Sequence, residues 1–344
     1  MTLIFKDLKH DNYERVLLAQ DDLTGFHSIT AIHNTKRGPA LGGCRFFAYQ
    51  SHDDQLTDVL KLSKAMTYKN SLANLDFGGG KATVNAKVSK NQFYELFAEV
   101  LKTLDGVYIT AGDIGVIDED LIQLKKLSPY VCSTKGSDSG LSTAFGVFNA
   151  MIGYEEFRNQ QSNLENKKIL IKGYGKVGAR LAQFCKHSGA KVQVVDFESK
   201  KELIESDGFT YLENYQDTNF DQIDIFSPCA TGGDLNDEFL SFSKNIKVNC
   251  VLGAANNQLA DSEIEQKLYN EDITYCPDYC VNAGGVIILA LRSSIKEDIE
   301  YDEPEAKKKL IGIKDQLKNI LLLSKNKNQL CTISSNQLSE KGFL

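Results

Sequence analysis

The sequence has no block of basic residues and no long apolar run. Its formal net charge is −7, and nucleic acids are bound by clustered lysine and arginine, so a nucleic acid is not an expected partner. The longest apolar run, at about 286–291, is far shorter than the roughly 20 residues that span a bilayer. Polar residues come too early in the N-terminal segment for a signal peptide. We therefore expect a cytoplasmic protein without a membrane partner.

Metal-ligand spacings are also missing. The eight cysteines are scattered, none forms a CxxC pair, and only Cys276 and Cys280 lie close together. His187 is the last of the five histidines, so no nearby histidine completes a tetrahedral zinc set with that pair. We expect free thiols, as is usual in a reducing compartment, and no metal site.

What the sequence does contain is an alternation of strand and helix patterns. With 344 residues and 42% hydrophobic residues, the chain can bury a large core and suits two domains. Apolar and polar residues alternate over 27–33, as in a strand, and helical spacing follows over 53–69. A strand (82–86), a helix (91–104) and a strand (107–110) come next. This order predicts an α/β fold.

Two lysines stand where neither a core nor a plain solvated surface favours them. Lys69 lies near the end of the predicted helix, and Lys81 directly follows the run 78–80 of three glycines. Glycines leave room for a ligand to approach the backbone. A glycine-lined cationic pocket suits a carboxylate or a phosphate. The ordinary alternative is a pair of surface lysines, one at a helix end and one in a loop.

The sequence around these lysines resembles a known family. The runs GPALGG, KAMTYKN and GGGK, in this order and at this spacing, are similar to those of the amino-acid dehydrogenases that act on leucine, valine and phenylalanine, within the Glu/Leu/Phe/Val dehydrogenase family. The resemblance implies that Lys69 holds the substrate carboxylate and that Lys81 is the catalytic lysine. It also implies that Gly42 and Gly43 line the same site.

Asp113 is the second candidate catalytic residue. Taken alone, an aspartate that follows a glycine is as readily a turn residue. The family has an aspartate in the corresponding stretch that donates and accepts protons, so the resemblance implies this role for Asp113. The flanking residues differ, because Gly112 and Val116 stand where leucine dehydrogenases usually carry Glu and Thr.

The resemblance also implies the lining of a pocket for the substrate side chain, formed by Leu41, Ala111, Val286 and Leu289. None of these side chains can form a hydrogen bond, so a charged substrate such as glutamate would be left unpaired. We expect apolar amino acids to be preferred, with branched-chain substrates first and aromatic substrates second.

The run GYGKVG predicts a dinucleotide site from its residues alone. It follows a predicted strand (168–172), opens a helix and precedes a second strand that ends at Asp196. Gly173 makes the tight turn, Gly175 lets the backbone approach a pyrophosphate at the helix N-terminus, and Gly178 permits close contact between helix and strand. Asp196 would hydrogen-bond the ribose hydroxyls and repel a 2′-phosphate, which favours NAD over NADP.

Further contacts are expected at the carboxyl ends of later strands, where open α/β folds bind ligands, and from similarity to the family motif PDYVINAGGVI. The predicted cofactor contacts from these sources and from the GYGKVG run are Lys176, Val177, Cys229, Ala230, Ala254, Asn256 and Asn282, with Thr143 added by resemblance. Asn256 and Asn257 are also implied as substrate contacts, although either could simply satisfy a turn.

The polar, glycine-bearing segment 132–142 is the predicted hinge. We expect residues 1–135 to form an α/β domain for substrate binding and oligomerisation. Residues 136–317 should form a Rossmann-type, doubly wound NAD-binding domain, with a cleft between the two. The resemblance implies that a C-terminal helix, about 318–344, returns to the first domain and that the protein is a homo-oligomer, either a dimer or an octamer.

The sequence therefore predicts an NAD-dependent, reversible oxidative deamination of an apolar L-amino acid to a 2-oxo acid and ammonium. One alternative is a catalytically silent NAD-binding paralogue that acts as a sensor or subunit. Loss of Lys69, Lys81 or Asp113 would have indicated such a protein. Another is a hydroxy-acid dehydrogenase, but those enzymes usually rely on an Arg or His pair, and the histidines here fall in no matching context.

Overall fold

The computed structural model describes three stretches of the chain, residues 3–132, 138–292 and 303–344. They form two compact units. Unit one consists of the described parts of 1–137, 286–303 and 339–344, and unit two of 138–285 and 304–338. The middle of the predicted hinge, 133–137, lies outside the described residues, and the helix that follows it already begins at Ser139.

Unit one is built on a mixed six-stranded sheet with the order β1-β2-β3-β5-β4-β6. Strands β1, β2, β3 and β5 pair antiparallel, whereas β4 pairs parallel with both β5 and β6. The strands are β1 (Ile4–Asp7), β2 (Arg15–Asp21), β3 (Phe26–Asn34), β4 (Ala40–Phe47), β5 (Gly78–Asn85) and β6 (Tyr108–Gly112). The parallel pairs are joined by the crossover helices α1 (His52–Leu72) and α2 (Lys90–Thr103), and α3 (Asp118–Leu127) follows β6.

Helix α1 packs closely on β5, and this contact explains the middle one of the three glycines before Lys81. The sequence placed the strand start at residue 82, but β5 begins at Gly78. A methyl group added at Gly79 would overlap the backbone of Thr67 in α1. All three glycines therefore belong to a strand, and Gly79 lets a helix backbone approach it, a tertiary effect that a run of glycines does not reveal.

Unit two contains a second six-stranded sheet in which every pairing is parallel. Its order is β12-β11-β10-β7-β8-β9, which is the 3-2-1-4-5-6 order of a doubly wound dinucleotide fold. The strands are β7 (Lys168–Lys172), β8 (Lys191–Val195), β9 (Thr210–Leu212), β10 (Gln222–Pro228), β11 (Lys247–Val251) and β12 (Thr274–Tyr275). The predicted fold class, two α/β domains of which one is Rossmann-type, is confirmed.

Nine α-helices follow β6 and α3 in the described residues. They are α4 (Ser139–Asn159), α5 (Gly178–His187), α6 (Lys201–Ser206), α7 (Asp237–Asn245), α8 (Ile264–Asn270), α9 (Asp278–Val281), α10 (Gly284–Arg292), α11 (Glu303–Lys327) and α12 (Cys331–Glu340). None of the helices in the described ranges is long and apolar enough to cross a membrane.

The C-terminal region differs from the expected return at about residue 318. Helix α11 packs within unit two, where Lys314 and Lys318 pair with Glu156 of α4 at 3.0 and 2.7 Å. Only 339–344 belong to unit one. There the Ser71 hydroxyl donates to the Ser339 carbonyl at 2.7 Å. The apolar face of α11 packs within unit two, so the chain returns to unit one later than expected. The assignment of substrate binding and oligomerisation to unit one, and of NAD binding to unit two, stays a prediction.

Candidate functional site

The two predicted catalytic residues meet in unit one. The Lys81 ammonium lies 2.7 Å from Oδ2 of Asp113, and the two side chains are 9% and 20% exposed. Lys81 lies in β5, whereas Asp113 directly follows β6, so the contact spans β4, the strand between them. An ion pair buried to this extent is largely shielded from bulk water, although part of it stays accessible.

Gly43 makes this contact possible. The register from Ala40–Gly78 to Phe47–Asn85 places Gly43 of β4 beside Lys81, and Gly43 pairs with Ala111 on its other side. A methyl group at Gly43 would lie 2.5 Å from the Gly112 carbonyl oxygen and 3.0 Å from Cβ of Asp113. The missing side chain therefore leaves the space in which the lysine crosses to the aspartate.

The backbone carbonyl of Gly42 accepts a hydrogen bond from a side chain of β6. The buried Tyr108 hydroxyl lies 2.7 Å from the carbonyl oxygen of Gly42 and 3.1 Å from that of Gly43. A methyl group at Gly42 would overlap the Gly80 carbonyl. Gly43 thus lies against the Lys81–Asp113 contact, whereas a methyl group at Gly42 would also meet Met66 of α1 at 3.2 Å. That the two glycines line a substrate site stays a prediction.

A second cation reaches Asp113. Nε of Arg45 lies 3.2 Å from the same Oδ2, and the Arg45 side chain is 17% exposed. Burial by itself would raise the pKa of Asp113, but the charge and hydrogen bond of Lys81, together with Arg45, outweigh it and hold that pKa below its ordinary value. Asp113 is therefore an ionised carboxylate at neutral pH, the form that can accept a proton.

Lys69 lies half-buried in the last turn of α1. The next residue, Asn70, ties this turn to the sheet, because its side-chain amide donates to the carbonyls of Leu41 (3.2 Å) and Gly78 (2.6 Å). The end of α1 is thus fixed beside β4 and β5, the strands that carry Gly43 and Lys81. The role of Lys69 as the carboxylate anchor stays a prediction.

The four residues expected to line the side-chain pocket fall into two pairs. Leu41 and Ala111 are buried in β4 and β6. Val286 and Leu289 are half-buried and lie three residues apart on one face of α10. All four are apolar surfaces, and their meeting around one substrate stays a prediction.

In unit two, the glycines of the GYGKVG run have the geometry of a pyrophosphate site. Gly173 has a left-handed φ of +109°, and a methyl group there would lie 2.8 Å from the Ala230 nitrogen. A methyl group at Gly178 would overlap the Gly173 carbonyl and lie 3.4 Å from Cβ of Cys229. At Gly175, by contrast, it would meet no atom of the described chain within 4 Å. Open space at this glycine, ahead of the N-terminus of α5, fits an approaching anion.

A cavity of about 580 Å³ lies at the carboxyl ends of β7 and β8. Its lining includes Gly173 and Ala230 and four acidic residues, Asp196, Glu198, Glu213 and Asp217. Asp196 is fixed by backbone amides, because it accepts from Tyr174 N and, at 2.7 Å, from Phe197 N. Lys172 also lines the cavity, and its ammonium is paired with Asp234 at 2.7 Å. The lining suits uncharged hydroxyls better than a phosphate.

Three other predicted cofactor contacts are brought together by hydrogen bonds. The Asn282 side-chain amide donates to the Ala254 carbonyl at 3.1 Å and to Oδ1 of Asn256 at 2.9 Å. Oδ1 of Asn282 is buried and has no partner among the described residues. Asn257 differs: it has a left-handed φ of +52°, and its backbone N–H donates to Oδ2 of Asp278. Its contact with the substrate stays a prediction.

The remaining predicted cofactor residues lie at the edges of this region. Lys176 is exposed, and Val177 precedes the first turn of α5. Thr143 lies near the start of α4, where its hydroxyl would be 3.2 Å from a methyl group added at Gly285. The residues present fit a dinucleotide, and the contacts of these individual side chains with it stay predictions.

Sequence reasoning missed three residues of the unit-one site, Arg45, Asp58 and Tyr49. Arg45 ends the run GPALGGCR, and an arginine directly after the family-like glycines was a usable signal. Asp58 lies in α1, and Tyr49 lies between β4 and α1; neither carried a local signal. Within the described ranges, no group of three or more His, Cys, Asp and Glu side chains could hold a metal ion.

Two models of one protein family together match most of the chain. The family model described as "Glu/Leu/Phe/Val dehydrogenase, dimerisation domain" matches residues 13–126. The model described as "Glutamate/Leucine/Phenylalanine/Valine dehydrogenase" matches residues 193–338.

Individual relatives are also named as amino-acid dehydrogenases. A phenylalanine dehydrogenase from Caldalkalibacillus thermarum is 38% identical over 80% of this chain and 77% of its own length. A leucine dehydrogenase from Bacillus subtilis is 32% identical over 98% of this chain and 93% of its own. The crystal structure of L-tryptophan dehydrogenase from Nostoc punctiforme superposes with a TM-score of 0.85 at 30% identity, over 96% of both chains.

Proposed function

The chain belongs to the Glu/Leu/Phe/Val dehydrogenase family of amino-acid dehydrogenases, and we propose that it catalyses the NAD-dependent, reversible oxidative deamination of an apolar L-amino acid. The products are a 2-oxo acid and ammonium. The observation that carries the proposal is the contact of 2.7 Å between the Lys81 ammonium and Asp113. Both groups are able to move protons, and they meet beside Gly43.

In the proposed reaction Lys69 binds the substrate carboxylate. Asp113, ionised in the resting site, takes a proton from the substrate ammonium and leaves an amine. A bound nicotinamide would accept the hydride from the α-carbon. Lys81, once its own proton has passed to solvent, takes a proton from the water that adds to the resulting iminium carbon. Asp113 returns its proton to the nitrogen of the carbinolamine. The C–N bond then breaks, the departing ammonia takes up the hydroxyl proton to become ammonium, and the 2-oxo acid remains.

NAD is the proposed cofactor. The support comes from the acidic lining of the unit-two cavity, where Asp196 lies with Glu198, Glu213 and Asp217. A 2′-phosphate would be repelled by these carboxylates, whereas ribose hydroxyls can donate to Asp196.

Apolar amino acids are the proposed substrate class because Leu41, Ala111, Val286 and Leu289 offer no polar partner to a charged side chain. Leucine, isoleucine and valine come first and aromatic amino acids second. The relatives named for phenylalanine and tryptophan make the aromatic group the main alternative. A homo-oligomer is also proposed, supported by the description of the model that matches residues 13–126.

The test is a panel of L-amino acids, with NAD or NADP, followed by the absorbance of reduced nicotinamide. Lys81→Ala should lower kcat by about 100-fold to 10,000-fold, the range for a positioned acid or base, while NAD affinity stays unchanged. Lys87→Ala is the matched control, because Lys87 is exposed and lies just beyond the same strand. Near-normal turnover in a folded Lys81→Ala protein, or a kcat/KM for glutamate above that for leucine, would contradict the proposal.

A further inference from the structure

The Arg45 side chain joins two carboxylates in the interior of unit one. Its Nε lies 3.2 Å from Oδ2 of Asp113, and its other arm contacts both oxygens of Asp58, at 2.8 and 3.1 Å. The Tyr49 hydroxyl donates to Asp58 at 2.7 Å. A planar guanidinium held by a second carboxylate has a fixed orientation, which a single contact does not give.

Both cations use the same oxygen of Asp113, so their roles have to be separated. Lys81 ends a flexible four-carbon stem with rotatable donors and therefore holds the carboxylate without fixing its plane. In the proposed reaction Lys81 also has to turn from Asp113 to a water molecule. A carboxylate anchored by Lys81 alone would lose its anchor in that step, whereas the Arg45 contact does not depend on it.

We infer that Arg45 is a positioning residue that keeps Asp113 aligned for proton transfer while Lys81 acts, and that Asp58 and Tyr49 hold Arg45 in place. This inference rests on the proposed function, since alignment of Asp113 matters only if Asp113 moves protons. Arg45 acts through Asp113 and takes no part as an acid or base, because a guanidinium keeps its protons at any working pH.

The charges around Asp113 determine how its pKa would respond to the removal of Arg45. The titratable groups that act on it are Lys81 from β5, Arg45 and Cys44 from β4, Tyr49 beyond β4 and Tyr108 from β6, with Asp58 of α1 acting through Arg45. Loss of the Arg45 charge leaves burial opposed by Lys81 and by the Ile114 amide. The pKa of Asp113 should then rise.

The experiment compares Arg45→Met with Asp58→Asn. Arg45→Met removes both charge and alignment. We expect kcat to fall by about 100-fold, as for a misplacement on the order of 1 Å, while the KM for the amino acid changes little, because Arg45 contacts Asp113 and not the substrate. Asp58→Asn keeps the guanidinium but loosens its second anchor. It should lower kcat by a smaller factor, again with little change in KM. It also keeps the test decisive if Arg45→Met does not fold.

Arg15→Met is the matched control, because Arg15 forms an exposed ion pair with Asp7 in the same unit, with Nε at 2.7 Å from Oδ1. It should leave kcat and KM unchanged. NAD affinity, measured by binding, should be unchanged in all three variants. Unchanged kcat in Arg45→Met, or a fall in kcat/KM that comes from a higher KM alone, would overturn this inference alone. Absence of amino-acid dehydrogenase activity in the unaltered protein would overturn the proposed function and this inference with it.

Discussion

Gly175→Ala separates binding from folding more cleanly than any other change in the unit-two site. A methyl group at Gly175 would meet no atom of the described chain within 4 Å, and the backbone there is not left-handed. The folded state should therefore accept alanine, and the unfolded chain loses entropy, a stabilising effect of about 0.4–1 kcal/mol. The same change at Gly178 would overlap the Gly173 carbonyl and should damage the fold.

The expected loss is in dinucleotide affinity. The new methyl group would stand where the backbone has to approach the pyrophosphate, which removes a hydrogen bond to a charged group worth about 1.5–3 kcal/mol. This corresponds to a dissociation constant that rises about 10-fold to 100-fold. Fluorescence titration with the reduced dinucleotide measures the affinity, and thermal unfolding measures the stability.

Gly312→Ala is the control for this comparison. Gly312 lies inside α11, where an added methyl group also meets no atom of the described chain within 4 Å. It should stabilise the protein by about 0.5–1 kcal/mol, as Gly to Ala does inside a helix, without any change in affinity. If Gly175→Ala binds the dinucleotide as tightly as the unaltered protein does, the pyrophosphate does not lie at this turn and the reasoning is refuted.

Three further changes test the charges of the molecule. Asp196→Ala should narrow the preference for NAD over NADP, measured as a ratio of kcat/KM values, and an unchanged ratio would contradict the role of this carboxylate. Burial, aided by the charge of Lys64, lowers the pKa of His33 from 6.5 to about 4, so the unfolded state binds more protons between these values. Stability should fall as the pH drops through that range, and His33→Gln should flatten the fall in urea denaturation curves. Burial raises the pKa of Glu265, so the stability that its bound proton supplies is lost as pH rises through that pKa. Glu265→Gln, which still accepts from Thr332 N (2.9 Å in the unaltered protein), should have the larger free energy of unfolding at neutral pH.

The Rossmann-type fold of unit two could be predicted because its signals are local. The strand before Gly173 and the acid after the next strand stand within one short unit of sequence, and the structure has both strands where they were expected. Glycine adopts a left-handed φ without steric cost, so the glycine at position 173 itself indicated the tight turn. The acids Glu198, Glu213 and Asp217 join the same cavity only through folding.

The other unit was harder to predict for a physical reason. The run 78–80 has the composition of a turn, and only its pairing with β3 and β4 makes it a strand. The late return of the C-terminus is likewise accompanied by the contacts of Lys314 and Lys318 with Glu156, which join residues about 160 positions apart in the sequence. Contacts of this kind leave no periodic or compositional trace.

The missed Arg45 also decides how the Lys81→Ala experiment can be interpreted. Removal of one partner from a buried ion pair commonly destabilises a protein by about 3–5 kcal/mol, because the other charge is left uncompensated. Here Asp113 would still be paired with Arg45 at 3.2 Å after Lys81 is lost. The carboxylate therefore keeps a counter-charge, and the variant should fold and bind the dinucleotide. A loss of turnover in that variant then reports the missing amine, because neither a collapsed site nor an unpaired carboxylate accounts for it.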